Sequence, residues 1–472
     1  MKPLYTTEDE QRLSAVPERE SLPEEPYRSA YRRDYARLIH SAAFRRLQGK
    51  TQVFPGIESD FFRNRLTHSL EVAQIAKSIA IRLNHVESYF SPDEGGYPIN
   101  TDIVEAASLA HDLGHPPFGH NGEKALDDAM KECGGFEGNA QTLRIIARLE
   151  KKEPINDSIG YDESGNDIRL GLNWTYRSLA AILKYDHQIE HFREQNHTLT
   201  KGYYQNESDI VKQIKQHVLQ SAKEQKLKTI ECAVMDIADD IAYSTYDLED
   251  TFKAGFLDPL AILSIDRKYF GLIERVQEKV SRSLERDVPI HEIFKILREI
   301  FSSVLIGHDA QNSTFSADEL PYISYASANI AANGYLRTAF TSYLVSSALS
   351  AISVQINTDE PAVSKVLIDE EVHISIEVLK HLTYELTIMS PRMRVSENRG
   401  FEIVTGLFKR LVNDTGHRLL PEDFKLLHCA APTPSGRRRA ICDFIAGMTD
   451  RYAIEFYGRL YSDEPQSIFK PI

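Results

Sequence analysis

Apolar residues recur every three or four positions through most of the chain, and this spacing predicts an all-α protein. The clearest example is 66–86, where Leu66 and Leu70 fall on one helix face. Loops that contain Gly and Pro interrupt the pattern at 91–100 and 156–173, and the second loop is predicted to be a minor β-hairpin excursion. Further helices are predicted over 27–49, 101–113, 122–133, 174–184, 208–222, 228–253, 259–270, 272–310, 317–356, 370–389 and 398–415.

The same pattern predicts how the chain is organised into domains. Residues 1–26 are polar and contain proline, which indicates an extended N-terminal arm. Neither a repeat nor a low-complexity tract divides the rest, so we predict a helical core over 27–260 and a C-terminal helical extension over 261–472 packed on it. A single large α domain of this size can share one core.

Composition changes this picture mainly by exclusion. The formal net charge of −14 argues against nucleic acid as the main ligand, because phosphate contacts need clustered Lys and Arg. One basic cluster is a candidate docking site for an anionic ligand, although its first four members could instead form a solvated helix face. The cluster consists of Arg28, Arg32, Arg33, Arg37, Arg45, Arg46 and Lys50.

Location is predicted from what the sequence lacks. The four cysteines have no pairing pattern, which indicates reduced thiols. The N-terminus has no apolar signal-peptide core, and the most apolar run, 343–356, is too short to span a bilayer. We therefore expect a cytoplasmic protein without a membrane anchor.

Candidate chemistry is concentrated in 109–123, whose sequence is LAHDLGHPPFGHNGE. Neighbouring residues on a helix point about 100° apart, so His111 and Asp112 can reach one point only beyond a helix end. The prolines at 116 and 117 supply such an end. Imidazole and carboxylate together suit a divalent metal.

Further ligands must come from elsewhere in the sequence. His68 lies in the apolar-periodic helix over 66–86, and Asp239 lies in the acidic run 231–250. Asp239, Tyr243 and Asp247 recur every four residues and share one helix face. Taken singly, these residues have simpler explanations, since His68 could be a core or surface histidine and the acids could form a solvated face.

Taken together, the order of His68, His111–Asp112 and Asp239 resembles the H…HD…D signature of HD-domain metal-dependent phosphohydrolases. Longer runs are similar to the bacterial dGTPase family, which cleaves deoxynucleoside triphosphates. The HD pair alone is a weak motif, whereas the combined runs are specific. They cover 44–54, 65–72, 111–123, 136–144 and 238–243, with weaker similarity over 441–453.

The resemblance implies an HD-domain helical fold with additional C-terminal helices and one divalent metal. The reaction it implies is attack at the α-phosphorus, which gives a deoxynucleoside and intact triphosphate. Mg or Mn is the metal implied, although two imidazoles with two carboxylates fit Mn, Fe or Zn better than Mg. The implied metal ligands are His68, His111, Asp112 and Asp239.

The resemblance also assigns roles around the metal. His120 and Glu123 lie three residues apart on a predicted helix and can form a hydrogen bond. By resemblance His120 is the catalytic histidine, Glu123 is its partner and His115 contacts the triphosphate; the alternative for His115 is a loop histidine that caps backbone. The implied substrate-binding residues are Arg65, Lys184 and Tyr185 for the triphosphate, Gln52, Val53, Tyr243 and Asp247 for the sugar, and, more loosely, Arg399.

Several alternatives stay open at this point. Tyr243 could be an ordinary core aromatic. Another HD-type phosphohydrolase or phosphodiesterase is the second enzyme reading, although an HD-GYP motif is absent from the sequence. A non-catalytic scaffold that binds single-stranded nucleic acid is the third reading. The family further implies a homo-oligomer, from dimer to hexamer, weak single-stranded DNA binding, and in some members a dNTP activator at a separate site, for which the basic cluster is a candidate.

Overall fold

The computed structural model confirms the all-α prediction. Its described residues form helices, isolated β-bridges and one antiparallel sheet of two short strands, β1 (Ile352–Gln355) and β2 (Lys365–Ile368). The residues described are 2–14, 27–53, 62–151, 160–192, 200–220, 226–255, 271–306, 324–325, 327, 329–330, 332–387 and 391–462.

Most predicted helices are present with different bounds, and the helices predicted over 27–49 and 272–310 are each divided into two. The predicted helix over 259–270 lies outside the described residues. In chain order the α-helices are α1 (Ala30–Ile39), α2 (Ala42–Arg46), α3 (Arg65–Val86), α4 (Thr101–Ala110), α5 (Gly119–Met130), α6 (Gly138–Arg144), α7 (Tyr176–Ala181), α8 (Ser208–Val218), α9 (Ile230–Ala242), α10 (Leu248–Lys253), α11 (Leu272–Ser283), α12 (Ile290–Ile306), α13 (Gly334–Ser350), α14 (Glu370–Thr387), α15 (Pro391–Val412), α16 (Glu422–Ala430), α17 (Pro434–Ala446) and α18 (Asp450–Tyr461).

Contacts between residues divide the chain into two compact units. The chain passes between these units more than once. The division predicted from sequence places the boundary between core and extension after residue 260, and that division stays a prediction. The first unit comprises Met1–Asp236, Val354–Lys365 and Ser396–Ile472, and the second comprises Ile237–Ser353 and Val366–Val395.

In the first unit, α4 is the central helix. It packs against α3, α1 and α7, and its buried face includes Ile103, Ala107 and Ala110. Trp174, which is fully buried beside this helix layer, donates its indole N–H to the carbonyl oxygen of Asp34 at 3.0 Å. This layer fixes the ends of α3 and α4, where the candidate ligands lie.

The N-terminal segment 2–14 is not simply extended. It contains a 3₁₀ helix at Thr7–Glu10, and Leu4 is completely buried in the first unit. Asp9 lies 3.3 Å from the buried guanidinium of Arg177. The predicted arm packs here because it contributes an apolar side chain and a charge partner; the rest of the arm lies outside the described residues.

A second apolar cluster of the first unit joins early and late parts of the chain. Leu126 of α5 packs with Leu407 of α15 and Ile445 of α17. The C-terminal helices thereby support the helix that follows the Pro-Pro loop.

The second unit has its own core, in which Phe252, Phe301 and Phe340 contact one another. One prediction inside it is wrong, because the helix expected over 317–356 ends at Ser350 and β1 follows. The β1 residues alternate in burial, with apolar Ile352 inward, a pattern that favours a strand.

Candidate metal centre and catalytic loop

His111 and Asp112 lie just beyond the C-terminus of α4, because the helix predicted over 101–113 ends at Ala110. Asn100 caps the start of this helix through its side-chain oxygen, and His111 is the C-terminal cap residue. The next turn is fixed by Gly114, whose N–H donates to the Thr142 hydroxyl at 3.0 Å. A Cβ atom at Gly114 would lie 2.0 Å from the carbonyl oxygen of Gly138, so the close approach requires glycine.

His68 joins this pair from the first turn of α3. Asn64 and Thr67 form a reciprocal cap at the start of that helix. The ring centroids of His68 and His111 are 5.6 Å apart. We call His68, His111 and Asp112 the inner cluster; one ligand atom from each lies within 4.8 Å of the others.

The orientation of His111 within the inner cluster is set by its own helix. Its Nδ1 lies 2.6 Å from the carbonyl oxygen of Ser108. Since a carbonyl can only accept, Nδ1 carries the proton and Nε2 is the acceptor nitrogen of the ring. Nε2 lies 3.5 Å from an Asp112 carboxylate oxygen, on the side of the cluster. A ring held in this tautomer is ready to ligate a cation.

Asp112 is held as a carboxylate by neighbouring cations. Burial raises the pKa of the Asp112 carboxyl group, but the charge of Arg65, together with His115 and His111, outweighs burial and holds the pKa well below its ordinary value. Arg65 donates to Asp112 at 2.6 Å, and both side chains are almost completely buried. The Arg65 Nε atom is also buried and has no hydrogen-bond partner among the described residues.

A second group, which we call the outer cluster, contains His115, His120 and Glu123. One ligand-type atom from each lies within 4.8 Å of the others. His120 Nδ1 is 3.1 Å from one Glu123 oxygen, and the other Glu123 oxygen accepts the N–H of Gly138 at 2.8 Å. Burial raises the pKa of Glu123, but the hydrogen bond from His120 and the nearby charges outweigh burial and lower the pKa to about 2.

His115 connects the two clusters. Its Nδ1 lies 3.0 Å from Asp112, and its ring centroid lies 5.7 Å from that of His120. Burial and the charge of Arg65 lower the pKa of His115, against the opposing effect of Asp112. The predicted site histidines are thus adjacent, and His115 is more than a backbone-capping loop residue.

The loop between the clusters has an unusual backbone. Phe118 has a φ of 64° and Gly119 a φ of 57°, both in the left-handed region. A Cβ at Gly122 would lie 1.9 Å from the carbonyl oxygen of Pro117, so the first turn of α5 sits directly on the Pro-Pro segment. This turn aims His120 and Glu123 toward His115.

The predicted cation Lys184 is engaged by an acid that the sequence did not assign to the site. Lys184 lies 2.5 Å from Asp236, and Lys228 lies 2.5 Å from the second oxygen of the same carboxylate. Burial raises the pKa of Asp236, but the two lysines outweigh it and lower the pKa. Lys228 gave no sequence signal, because it lies outside every motif of the family. Tyr185 follows Lys184 and lies with its ring 5.3 Å from the Lys201 ammonium.

Gln52 and Val53, the predicted sugar-pocket residues, are both partly buried. The Gln52 Oε1 atom is buried and lacks a hydrogen-bond partner among the described residues. A buried amide oxygen of this kind is costly unless something donates to it.

Asp239, Tyr243 and Asp247 belong to the second unit and stay predictions as site residues. The continuous helix predicted over 228–253 is interrupted by a π-helical turn at Tyr243–Asp247, within which Asp247 is buried. Single π turns inside helices are frequent at functional sites.

Arg399 is followed by Gly400, which packs on Phe118 in the loop between the inner and outer clusters. Gly400 packs so closely on Phe118 that a Cβ there would lie 2.6 Å from the Phe118 Cβ. Arg399 itself is exposed, pairs with Glu402 at 3.2 Å and lies over the Tyr457 ring. Packing therefore brings the loosely matched Arg399 near the loop that carries His120.

The residues of the basic cluster differ in burial and in their hydrogen-bond partners. Arg32 is paired with Asp102 at the surface, and Arg37 donates to the carbonyl oxygens of Leu172 and Asn173. Lys50, in contrast, is buried, and burial together with Arg46 and Arg65 lowers its pKa to about 7. Lys50 therefore does not belong to an exposed basic surface, and its inclusion in the anion-docking cluster is wrong.

Comparisons with known proteins agree with this arrangement. Residues 65–244 match the HD domain family, and residues 366–459 match the phosphohydrolase-associated domain. A deoxyguanosinetriphosphate triphosphohydrolase-like protein 2 of Mesorhizobium japonicum is 44% identical, with 99% of this chain and 100% of that protein aligned. Similarly named proteins of Aliivibrio fischeri and Deinococcus radiodurans are each 32% identical; the alignments cover 92% and 95% of this chain and 93% and 96% of those proteins.

Within the described part of the chain, no helix combines the length and apolar character that crossing a bilayer requires.

Proposed function

We propose, from the premise that this chain belongs to the deoxyguanosinetriphosphate triphosphohydrolase-like family of HD-domain phosphohydrolases, that it hydrolyses deoxynucleoside triphosphates. The substrate is dGTP or dNTPs generally, and the products are the deoxynucleoside and inorganic triphosphate. The observation that carries the proposal is the pairing of the two clusters through His115, which joins a candidate metal centre to a histidine–glutamate pair.

The inner cluster fits a divalent cation. Its imidazole and carboxylate ligand atoms converge within 4.8 Å, and the His111 tautomer directs Nε2 toward the group. His68, His111 and Asp112 would hold the metal, with Asp239 as the proposed fourth ligand. When bound, Mn or Mg would neutralise charge on phosphate oxygens and lower the pKa of water. Fe and Zn are chemically compatible with the same donor set.

The outer cluster supplies proton transfer. Glu123 stays ionised because its pKa is lowered to about 2, and it accepts a hydrogen bond from the Nδ1–H group of His120. The other ring nitrogen, Nε2, is then the atom that exchanges protons with the reacting oxygens. Hydrolysis at the α-phosphorus breaks the bond to the 5′-oxygen, and this oxygen must gain a proton as the deoxynucleoside leaves.

Binding a triphosphate requires fixed cations, because it carries about four negative charges at neutral pH. Arg65 keeps a buried Nε donor in addition to the nitrogen that holds Asp112. Lys184 lies next to Lys228 on the shared carboxylate of Asp236, so two ammonium groups are available at this place. We propose that Arg65 and Lys184, with Tyr185 and His115, contact the triphosphate.

The sugar pocket is proposed to include Gln52, Val53, Tyr243 and Asp247. The buried Gln52 oxygen supports this assignment, since a sugar hydroxyl would satisfy it. Arg399 is proposed to approach the substrate from α15, because Gly400 packs on Phe118.

A separate ligand site is favoured by one observation. A cavity of about 610 Å³ in the first unit is lined by Arg45 and Arg46 and by aromatic side chains that include Phe424 and Tyr452. An arginine can pair with phosphate oxygens and an aromatic ring can stack on a base, although the carboxylates of Glu150 and Asp423 also line the cavity. We propose this cavity for the dNTP activator known in some family members. The homo-oligomer, from dimer to hexamer, and weak single-stranded DNA binding remain proposals from the family alone.

The reaction is tested by incubating the purified full-length protein with Mn²⁺ and each dNTP, singly and mixed, and separating the products by anion exchange. Deoxynucleoside with intact triphosphate is expected, and the mixed incubation would reveal activation. Monophosphate with pyrophosphate would contradict the assigned bond, and turnover of a cyclic dinucleotide instead would favour a phosphodiesterase. Salt-sensitive binding of single-stranded DNA without any turnover would favour the scaffold.

A further inference from the structure

Three segments of the first unit meet beside residues 115–118, in the loop that precedes His120. Lys50 is buried there, and its ammonium group donates to the carbonyl oxygen of His115 at 2.5 Å and to that of Ala446 at 3.0 Å. The first carbonyl belongs to the loop between the two histidine clusters, and the second ends α17. A single side chain thereby ties the loop to the C-terminal helices.

Asp450 makes the reciprocal connection. One of its oxygens accepts the N–H of Phe118 at 2.9 Å, and the other accepts the N–H and the hydroxyl of Thr51 at 2.9 and 2.5 Å. Asp450 is itself buried at the start of α18, whose first turn is capped by Thr449. We call Lys50, Thr51, His115, Phe118, Ala446 and Asp450 the junction.

Both segments held by Asp450 lead directly into proposed site residues. Phe118 comes two residues before His120 and has a left-handed backbone, which a bulky residue adopts only when its surroundings impose it. Thr51 comes immediately before Gln52. Hydrogen bonds donated to one carboxylate therefore set the spacing between the loop before His120 and the proposed sugar pocket.

We propose that Asp450 is a positioning residue. It acts through the junction to fix the loop before His120 and the segment before Gln52 in position relative to each other. Asp450 does not touch the reacting atoms. Its role is specific to a carboxylate, because three donors converge on its two oxygens and an amide at this position would turn its NH₂ group toward one set of donors. The kinetic part of this proposal rests on the proposed function, whereas the structural part does not.

The first test is amide hydrogen exchange of full-length Asp450→Asn, read by mass spectrometry over peptides that cover 47–53 and 111–123. Glu455→Gln is the matched control, because it makes the same acid-to-amide change at the exposed Arg451–Glu455 pair on the same helix. We expect faster exchange in both peptides of Asp450→Asn and in neither peptide of the control. Unchanged exchange in both peptides, or acceleration throughout the first unit, would overturn the proposal.

The second test is kinetic and uses milder variants as well. Asp450→Asn should lower kcat about 10- to 100-fold with dGTP, because misplacing a reacting group by about 1 Å can cost 10²-fold. Thr51→Val, which removes only the hydroxyl donor, should raise KM more than it lowers kcat, and Thr51→Ser should restore both values. Mn²⁺ binding to Asp450→Asn should match the wild type. A kcat equal to wild type, or lost Mn²⁺ binding with lost folding, would contradict positioning.

Failure of the proposed function and failure of the junction proposal would give different results. If the wild-type protein releases no triphosphate from any dNTP, the proposed function is wrong, and the exchange experiment still decides whether the junction exists. If the wild type is active and Asp450→Asn has the same exchange and the same kcat, the junction proposal alone is wrong.

Discussion

The inner and outer clusters both draw residues from 111–123, and the inner cluster adds His68 from α3, but the two clusters differ in exposure and in the partners of their carboxylates. Asp112 of the inner cluster is buried and paired with Arg65, whereas His120 of the outer cluster has 73% of its side chain exposed and is paired with Glu123. A buried donor set with fixed tautomers suits a cation, and an exposed imidazole backed by a carboxylate suits proton exchange with a substrate. The difference in burial separates the two chemistries although His111 and Glu123 lie within thirteen residues of sequence.

The largest effect should come from breaking the inner cluster. His111→Ala removes an imidazole that its bond to Ser108 pre-orients, so we expect loss of both Mn²⁺ binding and dNTP turnover. Calorimetry with Mn²⁺ and product analysis measure the two losses separately. Asp239→Ala should behave in the same way, and full activity in either variant would remove that residue from the ligand set.

Breaking the outer cluster should leave the metal in place. His120→Ala should bind Mn²⁺ as tightly as the wild type while kcat falls roughly 10²-fold or more, the usual contribution of a general acid–base group. His428→Ala provides a histidine control, because His428 lies on α16 and stacks on His417. A wild-type rate in His120→Ala would exclude this residue from proton transfer.

Glu123→Gln sharpens the comparison with a smaller change. The amide removes the charge that stabilises a protonated imidazole and leaves one acceptor oxygen for two donors, His120 and the N–H of Gly138, so kcat should fall about tenfold and KM should change little. Steady-state kinetics with dGTP would show this split. An increase in KM alone would mean that Glu123 serves binding and not proton transfer.

The smallest effect is expected at Lys228. Its side chain is 45% exposed and shares Asp236 with Lys184, so Lys228→Gln should raise the KM for a dNTP about two- to fivefold and leave kcat unchanged. Lys184→Gln should raise KM more, because Lys184 is the less exposed of the two. Equal effects of the two variants would show that the lysines contact the triphosphate equally.

The sequence predicted the fold class and most helix positions because helical periodicity is a local property. It was wrong at β1, where Ile352 and Val354 alternate with polar residues within a stretch that also fits a helical spacing. The two compact units are assembled from segments far apart in sequence, which a local pattern does not indicate, and the predicted division after residue 260 stays a prediction.

In the candidate site, the sequence by itself determined what depends on residue spacing. The prolines at 116 and 117 indicated that a helix ends close to His111 and Asp112, although α4 ends at Ala110 and not at the predicted 113. The His120–Glu123 pair follows from their three-residue spacing on α5. Lys50 shows the limit of this reasoning, because its sequence context indicated a basic surface and only packing buried it.

Tertiary structure alone decided which distant residues meet. It placed His68 beside His111, set Gly138 against Glu123, and brought Asp450 to Phe118 across more than 300 residues of chain. Such contacts have no periodic signal, because they arise when separate helices bury their apolar faces against one another and the polar groups carried along must find partners. Short sequence motifs determine the chemistry of the individual site residues, and helix packing determines how those residues are positioned relative to one another.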